Sequence, residues 1–316
     1  MEPLGYEVIV YGDPRSENAV AAYSKADPPP FTAEAWEPFN RAAAKAIRHR
    51  MEPGDVLGIM GGLAQGELVE LLPELLPVEY GIGYGGVCPS THKVFESYAW
   101  MHTVYGATRG SNTADGSFYD TVINAYFETD RFPEGDGSGD YLLYVGRLTE
   151  RKGVEIACET ARRLDLPLIL AGEGDLTPSY GECVGVVDHV ERGTLMAGAR
   201  ALMYPTIYLE PFGCSAVEAQ LCGTPVITTD WGAYTETVEQ AVSGYRCRTL
   251  GEFMWAAEAV ADLDRDAIRA RARDRWSLET IGREYDLYFR RLETLKGRGW
   301  YDESMVSPVG VLSGAA

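Results

Sequence analysis

YPTIYLEPFGCSAVEAQLCGTPVITTD, running from Tyr204 to Asp230, is the stretch on which the chain turns. It begins with a strand end and a loop. Pro211-Phe212-Gly213 leads into a helix, and Gly223-Thr224-Pro225 stops that helix before a wholly apolar strand. Gly213, Cys214 and Ser215 fall on the first helical turn, where backbone N–H groups lack intrahelical acceptors and favour an anion. Glu210 precedes the helix and Glu218 lies inside it, flanked by Ala216, Val217, Ala219 and Leu221. A helix that is small and apolar nearly all round is a buried one. A carboxylate there is costly unless it is paired or binds something. The plainer alternative is a helix whose glutamate faces a solvent edge.

Three further segments lie upstream, in an order that matters. Tyr144-Val145-Gly146-Arg147-Leu148-Thr149-Glu150-Arg151-Lys152-Gly153 reads as a strand end followed by a basic loop. Leu170-Ala171-Gly172-Glu173-Gly174 and Val184-Gly185-Val186-Val187 follow it. Together with Glu210-Pro-Phe-Gly-Cys-Ser-Ala-Val-Glu218, these resemble the ordered motifs of retaining glycosyltransferases with the GT-B fold, family 4 in particular, whose E-x7-E block the last one matches. The resemblance is clear over about residues 120–295 and thinner before. It implies two doubly wound Rossmann-like α/β domains facing a cleft. It also implies roles: Arg147 and Lys152 on a diphosphate, Glu218 on ribose hydroxyls, Glu210 on the sugar, and backbone near Val184–Val187, with Val186, against the nucleobase. Gly146 and Gly172 belong to the same donor site, with Gly213, Cys214 and Ser215. Retention of configuration is implied by the resemblance alone.

At 316 residues the chain has room for two domains. The 46% hydrophobic and 24% charged composition is that of a globular protein. No apolar run approaches the roughly 20 residues that span a bilayer. The start, MEPLGYEVIVYGD, carries no signal-peptide pattern. Six cysteines without a CxxC spacing suit a reducing compartment, and the expected location is the cytoplasm. The net charge of −19 argues against bulk attraction to nucleic acid or anionic lipid. The basic runs at Arg48-His49-Arg50, Arg269 to Arg275 and Arg290-Arg291 read as solvated helix faces.

Along the chain the reading gives a strand at Tyr6–Tyr11, a helix over 33–50, a strand at 55–60, a helix over 65–72 and a strand from Val78 into a glycine-rich loop. A helix over Lys93–Tyr105 and a strand over Asp120–Phe127 follow. Pro133 to Asp140 has a linker's composition. The expected domains are therefore residues 1–133, 134–276, and a final segment 277–316 whose helix returns to the first domain, as the resemblance implies. Gly61, Gly62, Tyr84 and the loop-borne His92 are candidate first-domain contacts. The resemblance calls for a histidine at the end of the strand from Val78, where this chain has Gly83-Tyr84-Gly85-Gly86. His102, on an aromatic helix, reads as packed.

Tyr6–Tyr11 admits two readings. It resembles the family's second strand, so that the chain begins late and its first sheet is depleted. Alternatively it is the first strand, with Gly12–Ser16 as a phosphate loop before a helix at Asn18–Ser24. Asp262-Leu263-Asp264-Arg265-Asp266 contains D-x-D spacings, but helix capping explains them, and no metal or cofactor is expected. The implied partner is a nucleoside-diphosphate sugar. The acceptor stays open: lipid, polysaccharide, small metabolite or a modified base in phage-type DNA. Two rivals remain, a non-catalytic nucleotide-sugar binder and phosphorylase-like chemistry with a lysine-bound pyridoxal phosphate.

Overall fold

The computed structural model describes residues 5–12, 32–108 and 115–303. The chain divides into two compact units. One gathers residues up to Phe95, Asn112–Ile123 and the chain from Ile281. The other holds Glu96–Ser111 and Asn124–Thr280.

The first unit is built on four parallel strands in chain order: β1 (Val56–Ile59), β2 (Leu76–Ile82), β3 (His92–Phe95) and β4 (Thr121–Val122). Helix α1 (Ala33–Arg48) is capped by Thr32, whose hydroxyl accepts from the Ala35 amide at 3.3 Å. Its Trp36, Phe39, Ala43, Ala44 and Ile47 join Leu57 and Ile59 of β1 and Leu68 and Val69 of α2 (Gly66–Leu71) in one apolar cluster. A separate cluster sets Val78, Val94 and Ile123 against Ile281, Tyr288 and Leu292 of the last helix, Leu278–Glu293.

Between β2 and β3 there is no crossover helix, only residues 83–91. The side chain of Glu79, fully buried in β2, holds that loop. It accepts from the Tyr84 hydroxyl at 2.9 Å, the Cys88 amide at 2.8 Å and the Thr91 hydroxyl at 3.1 Å. Burial still pushes its carboxyl above the usual range.

Three expectations change here. Tyr6–Tyr11 forms no strand. Tyr6 donates to Asp286 at 3.0 Å and lies 5.7 Å from the Phe289 ring, and Tyr11 leans on the α1 cluster. Val8 and Val10 stay about half exposed, so the alternating pattern serves side-chain anchoring rather than a sheet. The strand that both readings place at Tyr6–Tyr11 is absent. Ser16 and Asn18–Ser24 lie outside the described residues. The helix expected from Lys93 begins only at Tyr98, because His92–Phe95 is taken into the sheet beside β2. Ser97 caps that helix, α3 (Tyr98–Thr108), by accepting from the Trp100 amide at 3.1 Å. Glu236 accepts from the amides of Tyr98 and Ala99 at 3.0 and 2.7 Å. The strand expected over Asp120–Phe127 shrinks to Thr121–Val122. Asn124 turns to donate to the Glu96 carbonyl at 2.7 Å, and Phe127 bridges to Ser277.

In the second unit the strands are β5 (Leu142–Val145), β6 (Leu168–Ala171), β7 (Glu182–Gly185), β8 (Ala201–Tyr204), β9 (Val226–Thr229) and β10 (Gly244–Cys247). All are parallel, in the order β10-β9-β8-β5-β6-β7, a doubly wound sheet that reverses direction between β5 and β8. Helix α4 (Val154–Leu164) packs beside α8 (Leu250–Ala259), and α5 (His189–Gly198) beside α6 (Cys214–Leu221), which also meets α9 (Arg265–Trp276). The short α7 is Tyr234–Thr237. β5, β8 and β9 are buried along their whole length, as parallel strands between helix layers should be. Residues 133–140 lie along this unit, with the Gly135 amide donating to the Cys222 carbonyl at 2.9 Å and the Gly137 amide to the Ala197 carbonyl at 3.1 Å.

Candidate donor site at the carboxyl ends of the second sheet

The basic loop leaves β5 and the acidic loop leaves β8, two neighbouring strands on either side of the winding reversal. Such a point is where open α/β sheets place ligands. Gly153 makes their close approach possible. Its φ is +70°, and a Cβ there would sit 1.9 Å from the Pro205 carbonyl oxygen. The Arg151 carbonyl accepts from the amides of Ile207 and Tyr208 at 2.9 and 3.0 Å, and from the Thr206 hydroxyl at 3.0 Å.

This locking brings Lys152 onto Glu210. The ammonium donates to Oε1 of the carboxylate, and each residue is only 7% exposed. The Lys152 nitrogen also lies 4.9 Å from the centre of the Tyr208 ring and 5.6 Å from that of Tyr204. Arg147 is exposed, and its guanidinium has no carboxylate partner among the described residues. Its carbonyl accepts from the Tyr144 hydroxyl at 2.8 Å. The charge of Glu210 raises the phenol pKa of Tyr144, Tyr204 and Tyr208, after burial, while Arg147 opposes it at all three.

Beyond Glu210, the chain enters α6 through Gly213, whose φ is +84°. A Cβ there would come within 2.6 Å of the Tyr234 ring. Gly213, Cys214 and Ser215 line a cavity of about 230 Å³ with Glu210, Pro211, Phe212, Tyr204 and Glu96. The wall therefore carries the amino end of a helix, with its unsatisfied amides and positive partial charge. Pro211 is tied down by the Ser97 hydroxyl, which donates to its carbonyl at 2.6 Å.

Glu218 points from the same helix to Arg192 of α5. The contact is two-pronged, Nε to Oε2 at 2.7 Å and Nη2 to Oε1 at 2.9 Å. Burial pushes the Glu218 carboxyl up, and Arg192 pulls it back down. The carboxylate is thus not alone in its apolar helix. Gly146, Gly172 and Val186 stand side by side at the ends of β5, β6 and β7. The Gly146 amide donates to the Ala171 carbonyl at 3.0 Å and the Gly172 amide to the Gly185 carbonyl at 2.7 Å. A Cβ on Gly172 would lie 2.0 Å from the Gly146 carbonyl oxygen. Val186 is 69% exposed.

In the first unit, Gly61, Gly62 and Tyr84 come together. Gly62 adopts φ +54°, and its missing Cβ leaves room for the Gly86 carbonyl and the Tyr84 ring. Tyr84 spends its hydroxyl on Glu79. His92 is not with them and is not in a loop. It opens β3 opposite Val78, three residues down the strand direction from the level of Gly81, or about 10 Å. Burial lowers its pKa. Of the aspartates with D-x-D spacing, Asp264 caps α9 by accepting from the Ala267 amide at 3.0 Å.

Arg192 and Glu96 were not singled out from the sequence. Arg192 had one available signal, the need of a buried Glu218 for a partner. Glu96 had none, because the residues it faces are more than a hundred positions away.

Residues 139–291 match the family described as Glycosyl transferases group 1. The glycogen synthase of Mycobacterium tuberculosis is 33% identical over 162 residues, which cover 46% of this chain and 39% of that protein. The chain thus spans about two fifths of that relative's length. A glycosyltransferase involved in avilamycin A biosynthesis superposes with a TM-score of 0.66 at 22% identity, over 92% of this chain and 86% of its own. The Anabaena protein HepE, solved in complex with UDP-glucose, superposes with a TM-score of 0.54 at 18% identity, over 84% and 77%. These likenesses fix the fold as GT-B, and the segment 139–291 of this chain is a glycosyl transferases group 1 domain.

Proposed function

We propose that the chain is a retaining glycosyltransferase that takes a sugar from a nucleoside diphosphate and needs no metal. The observation that carries this is one wall of one cavity: Glu210, engaged by Lys152, runs directly into the amino end of α6. Cleaving a glycosyl–diphosphate bond develops negative charge on phosphate oxygen, and that charge must be met by fixed positive groups. Lys152, Arg147 and the first amides of α6 are such groups. Arg147 supplies a fork suited to phosphate, and no carboxylate among the described residues occupies it. Glu218 reaches the ribose, with Arg192 fixing its orientation. Val186 offers an exposed surface to the base. The UDP-glucose bound by the Anabaena protein supports a nucleotide-sugar donor of that class. Unpaired thiols at all six cysteines support a cytoplasmic setting.

Purified protein is incubated with UDP-glucose, ADP-glucose and GDP-mannose, and released nucleoside diphosphate is measured with and without excess chelator. Release that survives chelator, with an anomeric configuration retained in the product, is the expected result. Binding of a donor without release makes the chain a nucleotide-sugar binder. Rescue of activity by Mn²⁺ or Mg²⁺ overturns metal independence. Glu218→Ala should weaken nucleotide binding roughly tenfold, the scale of a hydrogen bond to a charged group. Glu210→Ala should lower turnover more than nucleotide affinity. Parent-like behaviour of both variants removes the assignment.

A further inference from the structure

Glu96 follows β3 directly and lies on the cavity wall with Tyr204, Glu210 and Pro211 to Ser215. Its backbone is fixed twice over. The carbonyl accepts from Asn124, whose own oxygen takes the Trp276 indole N–H at 3.3 Å, and the next residue, Ser97, caps α3 and grips Pro211. The carboxyl itself meets no hydrogen-bond or ion-pair partner among the described residues. Its titratable neighbours on the cavity wall are Glu210, Tyr204 and Cys214, and the Cys214 thiol pKa is raised by burial first and by Glu96 second. No cation among them compensates it, and burial alone pushes its pKa up to about 7. A carboxyl on a fixed backbone, with no partner among the described residues and on the wall of a small cavity, is set for a ligand hydroxyl. The cavity of about 230 Å³ holds roughly eight water volumes at about 30 Å³ each, enough for one sugar ring.

We propose that Glu96 hydrogen-bonds a hydroxyl of the transferred sugar and sets which sugar the site accepts. This rests on the donor-site reading above. Glu210 and the α6 amides hold one side of the sugar and its phosphate, and Glu96 reads the other. When ionised Glu96 accepts from the hydroxyl, and when protonated it also donates. It touches the sugar and not the diphosphate, so nucleotide affinity should not depend on it.

The test uses the full chain with UDP-glucose, ADP-glucose and GDP-mannose, the matching free nucleoside diphosphates, and analogues of the best donor lacking one hydroxyl at a time. Calorimetry gives affinities, and nucleoside diphosphate release gives kcat and KM. Glu96→Ala should leave nucleoside diphosphate affinity within about twofold of the parent and weaken the intact donor by roughly tenfold or more. One deoxy analogue should bind the parent weakly yet lose nothing further in the variant. Glu96→Gln should retain much of the donor affinity and remove a pH dependence of KM near neutrality. Parent-like donor affinity in Glu96→Ala, or equal weakening of the diphosphate and the donor, overturns the proposal. A parent that binds the diphosphates but no sugar nucleotide overturns it as well, while leaving a nucleotide site standing. A parent that binds neither fails the donor-site reading itself.

Discussion

Lys152 and Glu210 are oppositely charged, buried together and 58 residues apart in the chain. Desolvating the pair costs much of what its attraction returns, whereas removing one member strands the other. Glu210→Leu or Lys152→Met alone should therefore destabilise the fold by about 3–5 kcal/mol, and the double variant should lose much less. Denaturant unfolding of the four proteins gives the coupling, and additive losses would mean that the pair is solvated in solution. At Glu96 the prediction concerns pH. Between the ordinary carboxylate range and about pH 7, the folded protein holds a proton there that the unfolded chain has released. Stability falls as pH rises through that window, because the native state binds the extra proton. Glu96→Gln removes the effect, so its melting temperature relative to the parent should climb between about pH 4 and about pH 8. A constant difference over that range would show that the carboxyl titrates as in water. Neither residue's weight could be judged alike from the sequence. Glu210 stood beside a helix start with a recognisable spacing to Glu218. Glu96 is one acidic residue after an unremarkable Val-Phe, and only the folding of residues 204–215 against it gives it meaning.

At the scale of the element, two glycines should respond with opposite sign. Gly153→Ala places a Cβ at positive φ and against the Pro205 backbone, which cannot move aside as a side-chain tip can. It should destabilise by well over about 1 kcal/mol and reduce affinity for the proposed sugar-nucleotide donor, because the loop it anchors carries Lys152. Gly251 sits in the first turn of α8, and a Cβ there would meet only the Thr249 hydroxyl at 4.0 Å. Gly251→Ala should stabilise by roughly 0.4–1 kcal/mol through the unfolded chain. Melting curves of both variants check this, and a loss at Gly251 would mean that α8 needs a conformation alanine resists. The strands of the second unit were legible because apolar runs end at glycines or turns. β3 was not, since His92–Phe95 runs without a break into a stretch with helical periodicity. The strand is decided by the β2 edge beside it. Tyr6–Tyr11 failed in the opposite direction: its alternation is that of a strand, but Tyr6 and Tyr11 are used as anchors.

For the whole molecule, the excess of 19 negative charges opposes compaction. Cations relieve this, and they also weaken exposed pairs such as Asp230 with Arg248 at 3.0 Å. Exposed pairs contribute little, so the repulsion should dominate. The melting temperature should rise as NaCl goes from roughly 10 mM to roughly 0.5 M, over which the screening length falls severalfold. A decrease would show that the ion pairs outweigh the net charge. The two-unit organisation was readable from the restart of the β-α rhythm after residue 140, together with the resemblance.

The last helix has a consequence for biosynthesis. Three of the six buried residues in one cluster of the first unit, Ile281, Tyr288 and Leu292, are translated after the whole of the second unit. On the ribosome, the amino-terminal strands must wait with Val78, Val94 and Ile123 uncovered until those residues emerge, while the segment 124–280 already has its own sheet. The unit made first is therefore the unit finished last. A nascent chain stalled before Ile281 should expose its early strands to protease and to chaperones.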